Sequence, residues 1–378
     1  MQVTIIGGGM ITHDQILPSF YQLQRLGMVE QIAVCARHES TLDGLAASET
    51  IQPAFPGHSF LSTTEPYREA IARTPPHNLV VIAIPDHLHF DAIMAALEAD
   101  QHVLAVKPLV LKAAEAEVIA QEAFRRGLFV GIEYHKRFDD RSLMARRKYR
   151  AGDFGEFRLG TACLMEKWYY RHSNFQNWCT TENSDAFTYI GCHYVDLVHF
   201  ITGLIPVSVS VYGIKDRYPN GREGFLWTDA RVIWSNGACL NVQNSLGCPD
   251  QAPGTNMQGL TLYCAGHDNG GLLRHSDQYR GLEYVYAESA VYAEPSPDYF
   301  QYVDLGSGGL TPVGYGYRSI EYLLRCCLRV ESAPDRQQAI RQIDEEGIAA
   351  TPANSRYNER LIEAARQSIL NGGATVTI

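Results

Sequence analysis

Two domains are what the sequence predicts, the first an α/β domain on a doubly wound parallel sheet and the second built mainly on antiparallel strands. Three observations carry this. Over residues 1–135 short apolar runs alternate with segments of helical period, the pattern of a parallel sheet covered on both faces. The first run enters a glycine-rich turn at once. Past residue 137 the rhythm becomes one helix-like segment followed by strands that alternate apolar and polar, which suits antiparallel pairing. At 378 residues the chain is long enough for two cores, divided as 1–135 and 136–378.

The first strand is expected at 3–6, followed by Gly7-Gly8-Gly9-Met10-Ile11-Thr12. In this Gly-x-Gly-x-x-Thr turn Gly7 allows a sharp bend and Gly9 lets backbone N–H groups approach a pyrophosphate. Met10 and Ile11 lead into a helix whose positive end faces the phosphates. Further strands are expected at 31–35, 79–84, 103–106 and 129–133, with helices at 13–26, 87–99 and 111–126. This is a doubly wound dinucleotide-binding, or Rossmann, pattern. Later strands fall at 207–214, 230–234, 239–244 and 260–264, and later helices at 317–330 and 355–370. Residues 248–258 and 268–282, rich in Gly, Pro, Asp and Asn, are expected to be loops.

Composition excludes several classes of function. A net charge of −10 and a pI near 5.7 give no basic face for nucleic acid. With no apolar run of spanning length and a strand at the very start, a cytoplasmic protein without membrane partners is expected. Nine scattered cysteines without a Cys-x-x-Cys pair argue against disulfides or a cysteine zinc site.

Three more segments follow in order. They are Ile84-Pro85-Asp86-His87-Leu88-His89, Val106-Lys107-Pro108-Leu109 and Gly191-Cys192-His193-Tyr194-Val195-Asp196, with Tyr134-His135-Lys136-Arg137-Phe138-Asp139 between the last two. With the glycine turn they resemble the Gfo/Idh/MocA family of nicotinamide-dependent oxidoreductases over nearly the whole chain. The resemblance implies an N-terminal Rossmann domain and a substrate-binding C-terminal α/β domain whose open, mainly antiparallel sheet supports homodimers or homotetramers. It also assigns His193 to the substrate site.

Oxidising a secondary alcohol needs a hydride acceptor on one side of the carbon and a group that takes the hydroxyl proton. Lys107 follows the C-terminal end of a strand and faces the crevice where such sheets bind ligands, which makes it the first choice for that proton and a contact to cofactor and substrate. His193 shares a helix face with Asp196, a pair suited to an oriented acid or base beside substrate. Family members that oxidise cyclitols usually carry aspartate four residues before this histidine. Here Tyr189 stands there, able to relay a proton without the negative charge, and Asp185 lies four residues further back. Val106 and Asp86 are further departures, at positions that are glutamate and asparagine in the family pattern.

His135 on the crossing strand is a second candidate imidazole, and Trp168, within Glu166-Lys167-Trp168-Tyr169-Tyr170, is a candidate platform for a sugar ring. Pro85, Asp86 and His89 are expected to contact the cofactor, His89 on its nicotinamide side, with Asp86 also capping the helix that follows. No metal is expected from the His87/His89 or His193/Asp196/His199 spacings, since no compact second ligand set accompanies them. Ala36 at the end of the second strand offers no carboxylate to an adenosine ribose, whereas Arg37 and His38 can meet a 2′-phosphate, so NADP is favoured over NAD.

The leading expectation is an NAD(P)-dependent oxidoreductase acting on a hydroxyl or ketone of a sugar, sugar derivative or cyclitol. Two other readings remain open. One is a redox-neutral glycoside-cleaving enzyme that retains its dinucleotide; the other is a nonenzymatic dinucleotide-binding regulator.

Overall fold

The computed structural model describes residues 1–266, 268–276, 284–285, 292–293, 296–306 and 308–378. They form two compact units, 1–138 with 299–356, and 139–298 with 357–378.

In the first unit the strands are β1 (Gln2–Ile6), β2 (Gln31–Cys35), β3 (Leu61–Thr63), β4 (Leu79–Ile82), β5 (His102–Val106) and β6 (Val130–Glu133). They pair in parallel in the order β3-β2-β1-β4-β5-β6, a doubly wound sheet. The helices between them are α1 (Leu17–Arg25), α2 (Glu39–Ala46), α3 (Ile51–Ala54), α4 (Tyr67–Arg73), α5 (His89–Glu98) and α6 (Ala113–Arg126). Sequence periodicity missed α2, α3, α4 and β3. The three-residue β3 is an edge strand with Leu61 exposed, too short to show a period. The central strands are legible because both of their faces are buried, as in β4, where Leu79, Val80, Val81 and Ile82 are all within 1 % of full burial.

The second unit opens with α7 (Asp140–Arg150), capped by Asp139, whose carboxylate accepts from the Arg141 N–H at 2.9 Å. It continues with β7 (Glu156–Lys167), α8 (Phe175–Trp178), α9 (Cys192–Thr202), β8 (Pro206–Arg217), β9 (Glu223–Trp234), β10 (Cys239–Cys248), β11 (Met257–Ala265) and β12 (Gly271–His275). β12 corrects the loop expected over 268–282, and 277–282 lie outside the described residues. The expected loop at 248–258 shortens likewise, since β10 reaches Cys248 and β11 begins at Met257. Two-residue strands β13 (Tyr284–Val285) and β14 (Tyr292–Ala293) pair antiparallel.

The chain then returns to the first unit through β15 (Gln301–Asp304), β16 (Leu310–Val313), α10 (Tyr315–Ser332) and α11 (Arg336–Glu346). The compact units therefore differ from two contiguous blocks. Ile320, Leu323, Leu324, Cys327 and Val330 of α10 share one core with Val3, Ile5, Phe20 and Leu104. Burying each such large aliphatic side chain is worth about 1.5–3 kcal/mol, which draws this segment to the parallel sheet. Finally α12 (Arg356–Leu370) and β17 (Val376–Thr377) complete the second unit. Its sheet runs β12-β11-β7-β10-β9-β8-β17, antiparallel except for the β7/β10 pair. Among the described residues no helix is long and apolar enough to cross a membrane.

An unforeseen ionic knot ties α10 to the start of β5. His102 is fully buried, its Nδ1 accepts from the Phe129 N–H at 2.9 Å, and its Nε2 donates to Glu331 at 3.0 Å. Arg336 donates to Glu331 at 2.6 Å and to His77 Nδ1 at 3.0 Å. His77, His102 and Glu331 have ligand-type atoms within 4.8 Å of one another, but the guanidinium already supplies the positive charge there.

Burial depresses the proton affinity of His102 below the usual imidazole range, with Glu331 opposing. The unfolded chain then binds more protons between that depressed value and about pH 6.5, so stability is lost as pH falls through this window. The melting temperature should therefore decline below about pH 6.5. In His102→Gln, thermal denaturation should show a lower melting temperature at pH 7.5 but a shallower acid decline; an unchanged slope would refute the assignment.

Candidate functional site

The C-terminal ends of β1, β4, β5 and β6 carry the candidates of the first unit. Gly7 follows β1 at φ +109°, and a side chain there would meet the Ala83 carbonyl oxygen at 2.0 Å. Only glycine fits. Helical backbone begins at Met10, and Thr12–Ile16 forms a π-helical turn before α1. Thr12, standing where a third glycine was looked for, is fully buried and donates through its hydroxyl to the Gly7 carbonyl at 2.7 Å, locking the bend. Gly9 differs from Gly7. It is exposed, and a Cβ there would have no protein atom within 4 Å. That open, helix-opening glycine with Met10 and Ile11 behind it fits a dinucleotide pyrophosphate.

At the end of β2, Ala36 is buried and lies 3.3 Å from the Cβ that Gly8 would carry, while Arg37 and His38 are exposed. No carboxylate stands at this position.

The turn after β4 carries two of the candidates, Asp86 and His89. Asp86 sits inside a 3₁₀ turn, Asp86–Leu88, whose N-cap is Pro85, and α5 is preceded by Leu88; neither end has a side-chain cap. Asp86 is buried at the first position of this turn. His89 is fully buried. Its Nδ1 lies 2.8 Å from the Pro108 carbonyl oxygen and 3.1 Å from that of Leu109, and its Nε2 lies 2.8 Å from that of Ile84. The ring thus packs between the turn after β4 and the turn after β5, where a neutral imidazole donates through one nitrogen to the carbonyls of one turn only. Lys107 is 8 % exposed in the second of these turns, next to Pro108 across a cis peptide bond.

β6 ends at Glu133, and His135 lies on the 3₁₀ turn His135–Phe138, so the expected crossing strand is a turn here. The register pairs Glu133 with Val106, which puts this turn at the same sheet end as Lys107. His135 Nδ1 is 3.1 Å from Glu133 Oε2.

In the second unit a π-helical turn, Phe187–Gly191, feeds α9 and carries half-buried Tyr189 ahead of His193, which is 6 % exposed. Gly191 permits this packing, since a Cβ would meet Asn244 Oδ1 at 2.6 Å. π turns recur at functional sites because one extra residue per turn redirects side chains. Asp185 is no substitute for the absent aspartate. Fully buried, it accepts from the Thr188 N–H at 2.8 Å and the Thr188 hydroxyl at 2.9 Å, bracing the turn, and burial raises its pKa. Asp196 is 1 % exposed and accepts from the Tyr357 hydroxyl at 2.8 Å, a partner that sequence spacing could not supply. His199 donates from Nδ1 to the Leu204 carbonyl at 2.8 Å, so this nitrogen serves the end of α9.

Trp168 opens another 3₁₀ turn and is 41 % exposed. Arg171 lies 3.9 Å from the centroid of its ring and bonds Asp216 at 2.6 Å, holding one face from behind. Lys167 is not a surface charge. It is buried, with its ammonium donating to the carbonyls of Pro249, Asp250 and Ala252. From Tyr169 a run of rings passes through Tyr170 and Phe175 to Tyr189, with centroid spacings of 4.9, 5.3 and 4.6 Å.

The two glycines make opposite predictions. Gly9→Val should fold with a melting temperature close to the parent's yet lose dinucleotide binding in calorimetric titration. Gly7→Ala should lower the melting temperature sharply. Comparable dinucleotide affinity in Gly9→Val and the parent would remove Gly9 from the site.

Residues 1–134 match the family model described as "Oxidoreductase family, NAD-binding Rossmann fold". Among curated relatives, scyllo-inositol 2-dehydrogenase (NADP(+)) IolW of Bacillus subtilis (strain 168) is 24 % identical over 151 residues, 39 % of this chain and 41 % of the relative. D-glucoside 3-dehydrogenase of Escherichia coli (strain K12) is 24 % identical over 221 residues, 57 % of this chain and 58 % of the relative. The chain thus spans about half the length of the curated relatives it matches. The solved structure of scyllo-inositol dehydrogenase from Lactobacillus casei, with bound NAD(H) and scyllo-inositol, has the same fold at a TM-score of 0.66 and 16 % identity, covering 100 % of this chain and 98 % of that one. Residues 1–134, with the glycine turn and the 3-2-1-4-5-6 sheet, thus match the Gfo/Idh/MocA oxidoreductase family's NAD-binding Rossmann fold.

Proposed function

We propose that this protein is an NAD(P)-dependent oxidoreductase that moves hydride to or from a hydroxyl or ketone carbon of a sugar, sugar derivative or cyclitol. The observation that carries the reading is the pairing, within one unit, of the open Gly9 cradle at the end of β1 with buried Lys107 at the end of β5. The relatives named for inositol and glucoside oxidation support the substrate class. A bound nicotinamide supplies the ring that accepts or returns hydride.

The chain's own residues handle the rest. Lys107 takes the hydroxyl proton as the carbon is oxidised and returns it in reduction, and its burial keeps competing water away. His193 and Tyr189 serve as substrate-side acid and base, with His135 as a further imidazole. Asp196 fixes a substrate-binding helix through Tyr357, and the exposed part of Trp168 offers a face to the apolar C–H side of a sugar ring. Pro85 and Asp86 shape the cofactor wall, and His89 packs between that wall and the lysine turn. NADP is the preferred dinucleotide, because exposed Arg37 and His38 at the end of β2 suit a 2′-phosphate.

The setting is a cytoplasmic homo-oligomer. All nine cysteines are free thiols, in keeping with a reducing compartment. One face of the second unit's sheet bears exposed Leu159, Tyr212, Ile214, Met257 and Tyr263, and a second copy would bury it. Tyr212→Glu with Ile214→Asp should shift the sedimentation coefficient to that of a monomer; an unchanged value would place the interface elsewhere.

The deciding experiment is a panel of sugars, cyclitols and glycosides with each dinucleotide, following nicotinamide absorbance and product release together. Net reduction of NADP is expected, with kcat falling about 10²- to 10⁴-fold in Lys107→Ala. Arg37→Asp should weaken NADP far more than NAD, and equal losses would sink the cofactor preference. Aglycone release without net nicotinamide change would overturn the dehydrogenase reading in favour of a redox-neutral hydrolase. Dinucleotide binding with full cellular function in Lys107→Ala would favour a regulator.

A further inference from the structure

At the end of the first unit's sheet away from Lys107 and Glu133, a cavity of about 230 Å³ lies between α6, the start of β6, α11 and the segment 351–356. Its walls are mainly apolar. Ala123 and Phe124 of α6, Phe129 ahead of β6 and Ile340 of α11 line it, and of these Ala123, Phe129 and Ile340 are buried. Ala353 and Arg356 line it and are exposed, so they mark its mouth. An apolar cavity of roughly 150 Å³ stays dry and admits a molecule the size of benzene. This one has room for a ring with a short side chain.

The cavity also has a carboxylate in its wall, Asp344 from α11. The Thr351 hydroxyl donates to Asp344 Oδ1 at 2.5 Å, and a carboxylate has lone pairs for further donors. Burial raises the pKa of Asp344, with Thr351 and Arg356 opposing, because the ionised form is poorly solvated there. Arg356 is engaged by another acid, its Nη1 lying 3.1 Å from Glu117 Oε2. Arg341 lies 5.3 Å from the centroid of the Phe124 ring, and Glu345 adds its charge to that at Asp344. The carboxylates of Asp344, Glu345 and Glu117 thus outnumber the guanidiniums of Arg356 and Arg341. The surplus is negative.

We propose that this cavity binds a small arylalkyl ammonium ion, its ring packed against Phe124, Phe129 and Ile340 and its ammonium group donating to Asp344. The ring leaves water as it enters, and the hydrogen bond it carries to the wall is charge-assisted. An anionic ligand would set a second negative charge beside Asp344, and a neutral one would offer it a weaker donor. β6 runs from Val130 at the cavity to Glu133 at the end that carries Lys107, so the ion and a dinucleotide occupy opposite ends of the sheet.

Benzylammonium, benzyl alcohol and benzoate, each titrated calorimetrically into the full-length protein, provide the test. Benzylammonium should bind about tenfold more tightly than benzyl alcohol, and benzoate more weakly than either. Asp344→Asn keeps the shape and removes the charge. It should weaken benzylammonium about tenfold while the affinity for the alcohol stays, which also reports that the variant is folded. Ala353→Trp blocks the mouth from an exposed position and should abolish binding, which keeps the question decidable if Asp344→Asn does not fold. Excess NADP should leave the affinity for benzylammonium unchanged. Benzylammonium that binds no better than the alcohol, or not at all, overturns the proposal, as does tighter binding of benzoate. Binding that survives Ala353→Trp, or that NADP competes away, places the ion elsewhere and overturns it equally.

Discussion

One buried imidazole sets the geometry on which the rest of the first unit depends. Fully buried His89 of α5 packs between the carbonyl oxygens of Ile84 on one side and Pro108 and Leu109 on the other and donates to one side, so the turns after β4 and β5 meet on a single ring. The parallel ladder alone leaves strand ends free to diverge, because its hydrogen bonds stop at the last paired residues, Ile82 and Ala105. Beyond that point the ring takes over. The turn from Ile84 to Asp86 and the lysine at 107 can then keep a constant spacing while loops around them vary.

The same need for buried polar groups to find partners shapes both units. Glu133 is surrounded by Gln15 and Ser319, Asp185 by Thr188, Asp196 by Tyr357, and Glu331 by His102 and Arg336. Each pairing joins segments distant in sequence or braces the next turn. An unpartnered group at any of these places would cost about 1–3 kcal/mol or more, so the networks specify one arrangement where an apolar core would tolerate several. Both π turns stand beside such pairings, one bearing Gln15 and the other following Asp185.

The fold is shared widely, whereas the chemistry is written in few positions. A TM-score of 0.66 at 16 % identity means that strand order and helix placement survive almost complete replacement of side chains. What is particular to this chain is local. Ala36 stands beside Gly8, Tyr189 takes the place where an aspartate would add charge, and Asp185 behind it is occupied with its own helix.

By itself the sequence determined the parallel strands β1, β2, β4 and β5, the glycine bend, and the order in which Lys107, His135 and His193 follow their elements. These are local matters: a strand buried on both faces reads as a continuous apolar run, and a bend that excludes Cβ reads as glycine. The short strands β3 and β12 and the helices α2 and α11 were not legible, since each is too short or bears too few apolar residues to show a period. Tertiary structure alone decided that residues 299–356 rejoin the first unit, that His89 packs between two turns, and that Glu133 faces His135 while Tyr357 holds Asp196. Those outcomes join residues through space, and which donor meets which buried acceptor is settled only when the chain has packed.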